Sequence, residues 1–100
     1  MATVSKALVR QAAATSSTTL YTVPASTTTV VTNILVANTA AAVATYDLLL
    51  DDVSIANDVV IAANDTVSVD LKQVLATTKT IKGLASAVTV NFHISGVEIS

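Results

Sequence analysis

The sequence predicts an all-β fold: a single small antiparallel β-sandwich, jelly-roll or immunoglobulin-like, with an extended N-terminal arm. Three observations carry that expectation. Residues 18–38, TTLYTVPASTTTVVTNILVAN, read as a strand, a punctuating turn and a second strand. Residues 66–71 and 88–95 alternate apolar and polar side chains with the two-residue period of a half-buried strand. Turn signals divide the whole chain into seven or eight short strands at spacings of roughly 8–12 residues, the pattern of a sandwich or barrel. No internal repeat interrupts it.

Taken in order, residues 1–17, MATVSKALVRQAAATSS, fit helical and strand spacing about equally well. They are expected to form an arm that becomes ordered against a neighbour or the sheet edge, leaving 18–100 as the sandwich domain. Residues 18–23 form a strand that Pro24 ends, because proline cannot donate to a ladder. After a turn at 25–28, residues 29–38 are the longest β-rich run and are apolar on both faces. Val31, Leu35 and Ala37 fall on one side and Val30, Ile34 and Val36 on the other. Such a strand is expected to be central, covered by core on one side and by a partner on the other.

A small-residue loop leads to a strand at 43–51, with Ala44, Tyr46, Leu48 and Leu50 inward, ended by Asp51-Asp52. Residues 53–55 and 59–62 read as two strands separated by Ala56-Asn57-Asp58. Asn64-Asp65 is a turn, and Val67, Val69 and Leu71 face inward on the strand that follows. Residues 72–80 fit either a turn or a short helical piece before a strand at 80–85. In the last strand Val88, Val90, Phe92 and Ile94 face inward. The apolar phase then flips to Val97 and Ile99, so a β-bulge is expected near Gly96.

Composition constrains the rest. A chain of 100 residues is one domain and can bury roughly 60–70% of the surface its unfolded form exposes. Its core is built from small pieces, 17 Ala and 16 Val, with Tyr21, Tyr46 and Phe92 as the only aromatics. Modest stability is expected of an isolated monomer. Charged residues make up 12%, about half the usual share, and mean hydropathy is +0.68. With 16 Thr and 9 Ser in place of charge, the surface is polar yet costs little to desolvate, which suits packing against other subunits.

No stretch approaches the roughly 20 mostly apolar residues of a spanning helix, so no membrane association is expected. The N-terminus lacks a leader's uninterrupted apolar region and there are no cysteines, which points to synthesis in a cytoplasm. Net charge is −2, and the cations Lys6, Arg10, Lys72, Lys79 and Lys82 are dispersed, unlike the patch a nucleic-acid binder needs.

No constellation carries chemistry. His93 is the lone histidine, on the polar face of the last strand, without a base or nucleophile placed by the sequence to act with it. The six aspartates fall at strand ends and turns and lack the alternating ligands and glycine of a calcium loop. Asn64-Asp65-Thr66 fits a glycosylation acceptor in form and a side-chain-closed turn in context. With two glycines in all, a phosphate-cradling loop is not available. The expectation is therefore no enzyme, no cofactor and no metal. An interface is expected instead, drawing on Lys6, Leu8, Arg10, Tyr21, Val31, Leu35 and His93.

The segment LYTVPASTTTVVTNILVANTA, the strand opening Ala63-Asn64-Asp65-Thr66 and the closing SAVTVNF with SGVEI form an ordered set. That set resembles a family of small tailed-bacteriophage virion proteins. It covers most of residues 18–100 and leaves the arm uncovered. The chain departs from the family in Ala25-Ser26, where a glycine is common after the proline, and in having no proline before Asn64. The resemblance implies a structural component of a phage particle. A capsid decoration (cement) protein on the capsid exterior is expected, a homo-oligomer, namely a trimer, that binds the major capsid protein. Its arm would reach over a neighbouring subunit or that protein. The alternatives are a tail or neck protein and, less favoured, a host-surface carbohydrate-binding module stacking sugars on Tyr21 and Tyr46.

Overall fold

The computed structural model describes residues 2–100, and every regular element among them is a β-strand. There are eight: β1 (Thr3–Ala12), β2 (Thr18–Thr22), β3 (Thr28–Asn38), β4 (Ala44–Leu50), β5 (Val53–Ile61), β6 (Thr66–Leu75), β7 (Thr80–Ala85) and β8 (Val90–Ile99). They form two four-stranded antiparallel sheets, ordered β1-β8-β3-β6 and β2-β7-β4-β5. β1 pairs with β8, β2 with β7, β3 with β6 and β4 with β5, so the first half of the chain lies antiparallel along the second and the ribbon rolls up. This is the winding of a jelly roll, which decides between the two sandwich types the sequence left open.

The segment expected as an arm lies on a sheet edge of its own chain. Thr3–Ala12 pairs along β8, and Leu8, Val9 and Ala13 are buried in the common core. Met1, the first residue of that expected arm, lies outside the described residues. The core sits between the sheets, with Phe92, Ile34, Ile61, Leu75, Ile81 and Ile94 its largest fully buried side chains. Tyr46 packs edge-to-face on Phe92, ring centroids 6.4 Å apart, so two of the three aromatics form its centre. On β4, Ala44, Tyr46, Leu48 and Leu50 all face inward, as the alternation predicts. At the tip of the β4–β5 hairpin, Asp51 and Asp52 take φ of 55° and 60°, the positive values that a primed two-residue turn requires.

The departures from the sequence expectation concern bulges. On β3 the register shifts between Val31 and Asn33, so Thr29 and Val31, then Ile34, Val36 and Asn38, face the core. The expected grouping of Val31 with Leu35 and Ala37 fails because Thr32 is an extra residue that reverses the alternation. The bulge expected at Gly96 is also displaced. β8 keeps its phase through Val90, Phe92, Ile94 and Gly96, all buried, while the extra residues lie on its two neighbours. They are Leu8 on β1 and Thr32 on β3, both beside residues 94–96 of β8. Val97 and Ile99, taken as inward, lie half-buried on the outer face.

Three further differences follow from pairing. Residues 53–61 are one strand, not two, since Asn57 and Asp58 bulge opposite Asp47, whose Oδ1 accepts the Asp58 N–H at 3.0 Å. β6 runs on through 72–75 with Leu75 buried beside Thr29, so the segment left undecided is extended. Val88 sits exposed in the turn before β8 rather than inside it.

Gly96 explains where the bulges fall. A Cβ at this position would lie 2.3 Å from the Val30 carbonyl oxygen and 2.9 Å from Leu8 Cδ1, closer than atoms can approach. Gly96→Ala is therefore expected to lower unfolding free energy by about 1–3 kcal/mol or more, read from urea denaturation. Gly83→Ala, which meets Leu20 and Leu48 methyls at 3.1 Å and the Asp47 carbonyl at 3.2 Å, should cost less because leucine side chains can shift.

Candidate subunit interface

Antiparallel register sorts the residues expected at an interface into three groups. Arg10 pairs with His93, His93 with Leu35 and Leu35 with Ser68, so three of the seven fall in one row across the outer face of the first sheet. A neighbouring row is Ala7, Ser95, Asn33 and Asp70, and another is Ser5, Val97, Val30 and Val74. This face is built from small, neutral and aliphatic side chains with charge at its two edges only. Arg10 and His93 are exposed and Leu35 is half-buried, as a side chain in the middle of a sheet face would be. Leu8 and Val31, in contrast, are core residues. The β1 bulge turns Leu8 inward over Gly96, and Val31 precedes the β3 bulge on the core side.

Lys6 and Tyr21 belong to a polar network at one end of the sandwich. Tyr21 on β2 donates its hydroxyl proton to the Glu98 carboxylate on β8 and accepts from the Thr29 hydroxyl on β3, 2.8 Å away. Lys6 Nζ on β1 lies 3.3 Å from Glu98 Oε1. The network thus ties both sheets together through a residue that no spacing rule singles out, Glu98, 77 positions from Tyr21. Burial first, then the bond to the Glu98 carboxylate, pushes the Tyr21 hydroxyl up to about 12. The Tyr21 hydroxyl, with Lys6 assisting, holds the Glu98 carboxyl below its ordinary value against the opposing effect of burial.

The other end of the sandwich is organised by Asn38, which is buried. Its Nδ2 donates to the carbonyls of Ala42 and Ala62 at 2.8 and 3.2 Å, and its Oδ1 accepts from the Ala40 N–H at 3.1 Å. One side chain therefore holds two loops to the end of β3.

The aspartates carry local structure. Asp65 Oδ1 caps the Thr66 N–H at 2.9 Å, and Asp51 and Asp52 pair with Lys79 and Lys82 at 3.7 and 2.6 Å. Among the described residues no group of three or more His, Cys, Asp or Glu is placed to hold a metal ion. Tyr46 is buried against Phe92 and Tyr21 is half-buried in the network, so neither ring forms the exposed platform a sugar stacks on.

What the geometry defines is a small jelly roll whose first sheet presents an outer face of small, neutral and aliphatic side chains. The chain matches no family model and no curated protein. Among solved structures it is similar to a pentameric capsid protein isolated from metagenomic phage sequences, at 17% identity and a TM-score of 0.40. The match covers 90% of this chain and 59% of that one. A second structure of a pentameric capsid protein from metagenomic phage sequences, solved by iodide phasing, gives 18% identity, 90% and 60% coverage and a TM-score of 0.39. This chain therefore spans about 60% of the length of either.

The network makes stability depend on pH at both extremes. Glu98 titrates lower in the folded state than in the unfolded one. Its contribution is present above the ordinary carboxylate range and is lost as pH falls through the lowered value. Tyr21 titrates higher when folded, so its contribution is present below pH 10.0 and is lost as pH rises toward about 12. Tyr21→Phe should cost about 1–3 kcal/mol at neutral pH and shallow both limbs of the stability profile. Unfolding free energies of the two proteins from acid to alkaline pH, measured with urea, provide the check.

Proposed function

We propose that this protein is a structural component of a tailed-phage particle, a capsid decoration (cement) protein on the shell exterior. It acts there as a homo-oligomer, a trimer, bound to the major capsid protein, and its role is assembly rather than catalysis. The observation that carries this reading is the outer face of the first sheet, with its row of Arg10, His93, Leu35 and Ser68. It is a broad surface of Ser, Thr, Asn, Ala and Val that a partner can cover without stripping water from many charges. The ordered virion-protein motifs of the sequence support the same assignment, and the jelly roll is a fold that capsid domains use, though unrelated functions use it too.

In mechanism, a protein that binds the assembled lattice better than free shell subunits stabilises the shell by mass action. The adaptation lies in the surface: Thr and Ser hydroxyls keep it soluble before docking and are readily paired or released afterwards. β1, at the edge of this face, would then lie against the neighbouring subunit or the shell rather than reach away from the domain.

Two measurements decide it. Quantitative labelling of intact particles should find copies in numbers comparable to shell subunits, on heads; a copy number matching one ring would assign the protein to the tail or neck. Leu35→Asp with His93→Asp should abolish co-sedimentation with heads while the melting curve stays cooperative. Retained co-sedimentation would remove this face from the interface.

A further inference from the structure

The two open sides of the sandwich are closed to different degrees. At one side the edge strands β1 and β2 meet, the β1 bulge buries Leu8 and Val9 (9% and 3% exposed), and the Tyr21–Glu98 network ties the sheets together. At the other side β5 and β6 are the edges. There Val53 pairs with Leu50, Val59 with Tyr46 and Val69 with Ile34. Directly paired residues share a face of the sheet. Each of these valines therefore sits in register with a buried core residue, yet they are 66%, 36% and 40% exposed. Ile55, in the β5 bulge, is exposed beside them. This side is a hydrophobic core left uncovered, which isolated surface valines would not be.

Charge distinguishes what covers it. β5, β6 and the turn between them carry Asp58, Asp65 and Asp70 against one cation, Lys72. None of the four forms an ion pair among the described residues. β1 carries Lys6 and Arg10 and no acid. Lys6 is engaged by Glu98, whereas Arg10 is exposed with no ion pair, and Val4 on the same strand is half exposed. The two edges of one molecule are thus complementary in charge, and both offer apolar side chains and unpaired strand edges.

We infer that the β5–β6 edge receives the β1 edge of a second copy, Val4 covering the exposed valines and Arg10 facing Asp58 and Asp70. The contact joins two different surfaces, so it is head-to-tail and propagates from copy to copy, closing into a ring where the rotation between copies allows. The inference deepens the reading of the protein as a self-assembling particle component, since it names the surface by which copies meet.

The test is the oligomeric state of the purified full-length chain by sedimentation velocity, with Arg10→Glu and with Asp58→Lys/Asp70→Lys. The wild type should form an oligomer. Each variant should be monomeric, or self-associate roughly tenfold more weakly or worse. A one-to-one mixture of the two variants should assemble beyond dimers as alternating copies, because each native edge meets its native partner and each reversed edge meets the other reversed edge. Combining the substitutions in one chain should restore the oligomer. A monomeric wild type, or an oligomer unchanged by either variant, overturns the inference. An oligomer dissolved by Val4→Asp alone, with both charge variants unaffected, likewise overturns the head-to-tail pairing. Co-sedimentation with heads is scored separately. Self-association through these edges without head binding refutes the capsid reading alone, and head binding by monomeric protein refutes this contact alone.

Discussion

The missing side chain at position 96 sets the geometry of the first sheet. β8 runs straight between two bulged partners because Val30's carbonyl and Leu8's side chain occupy the space a Cβ would need. That approach puts one extra residue into β1 and one into β3, at the same level of the sheet. The β1 bulge turns both Leu8 and Val9 into the core and closes one side of the sandwich. The β3 bulge reverses the strand's phase so that Ile34, Val36 and Asn38 reach the interior. Because β8 itself stays in phase, Glu98 lands on the inner face at the rim, within reach of Tyr21 from the opposite sheet.

The sequence makes the sandwich legible where one face is buried and the other is wet. β4 is the clear case: four inward residues alternate with Thr45, Asp47 and Leu49, and the pairing obeys that alternation. It is less legible on β3 and β8, whose outer faces are also aliphatic. There Val97 and Ile99 mimic a phase change that β8 does not make, so the sequence of β8 places the bulge on the strand that causes it rather than on the strands that contain it. A bulge is a property of two strands in register, and one strand's sequence contains half of it. Asn57-Asp58 misled for a related reason: the residues look like a turn, and Asp47's carboxylate makes them part of a ladder.

The candidate interface was partly visible. Arg10, Leu35 and His93 come from three strands distant in sequence and meet in one row, while Leu8 and Val31 went to the core through the bulges beside them. Glu98 had no sequence signal at all, since its role depends on a contact between sheets. The uncovered valines of β5 and β6 did have one, their inward register, but exposure at an inward position shows only when the opposite edge is in view.

These features bear jointly on stability. A core assembled from valines and alanines, with Tyr46 and Phe92 as its only fully enclosed rings, has little burial to spare. One side of the sandwich is sealed by a bulge, a leucine and a tyrosine–carboxylate bond, and the other keeps three inward valines in water. A chain built for life as a monomer would gain from closing that second side with larger side chains. Leaving it apolar makes sense if burial there is completed by association. Folding free energy and subunit concentration would then be linked.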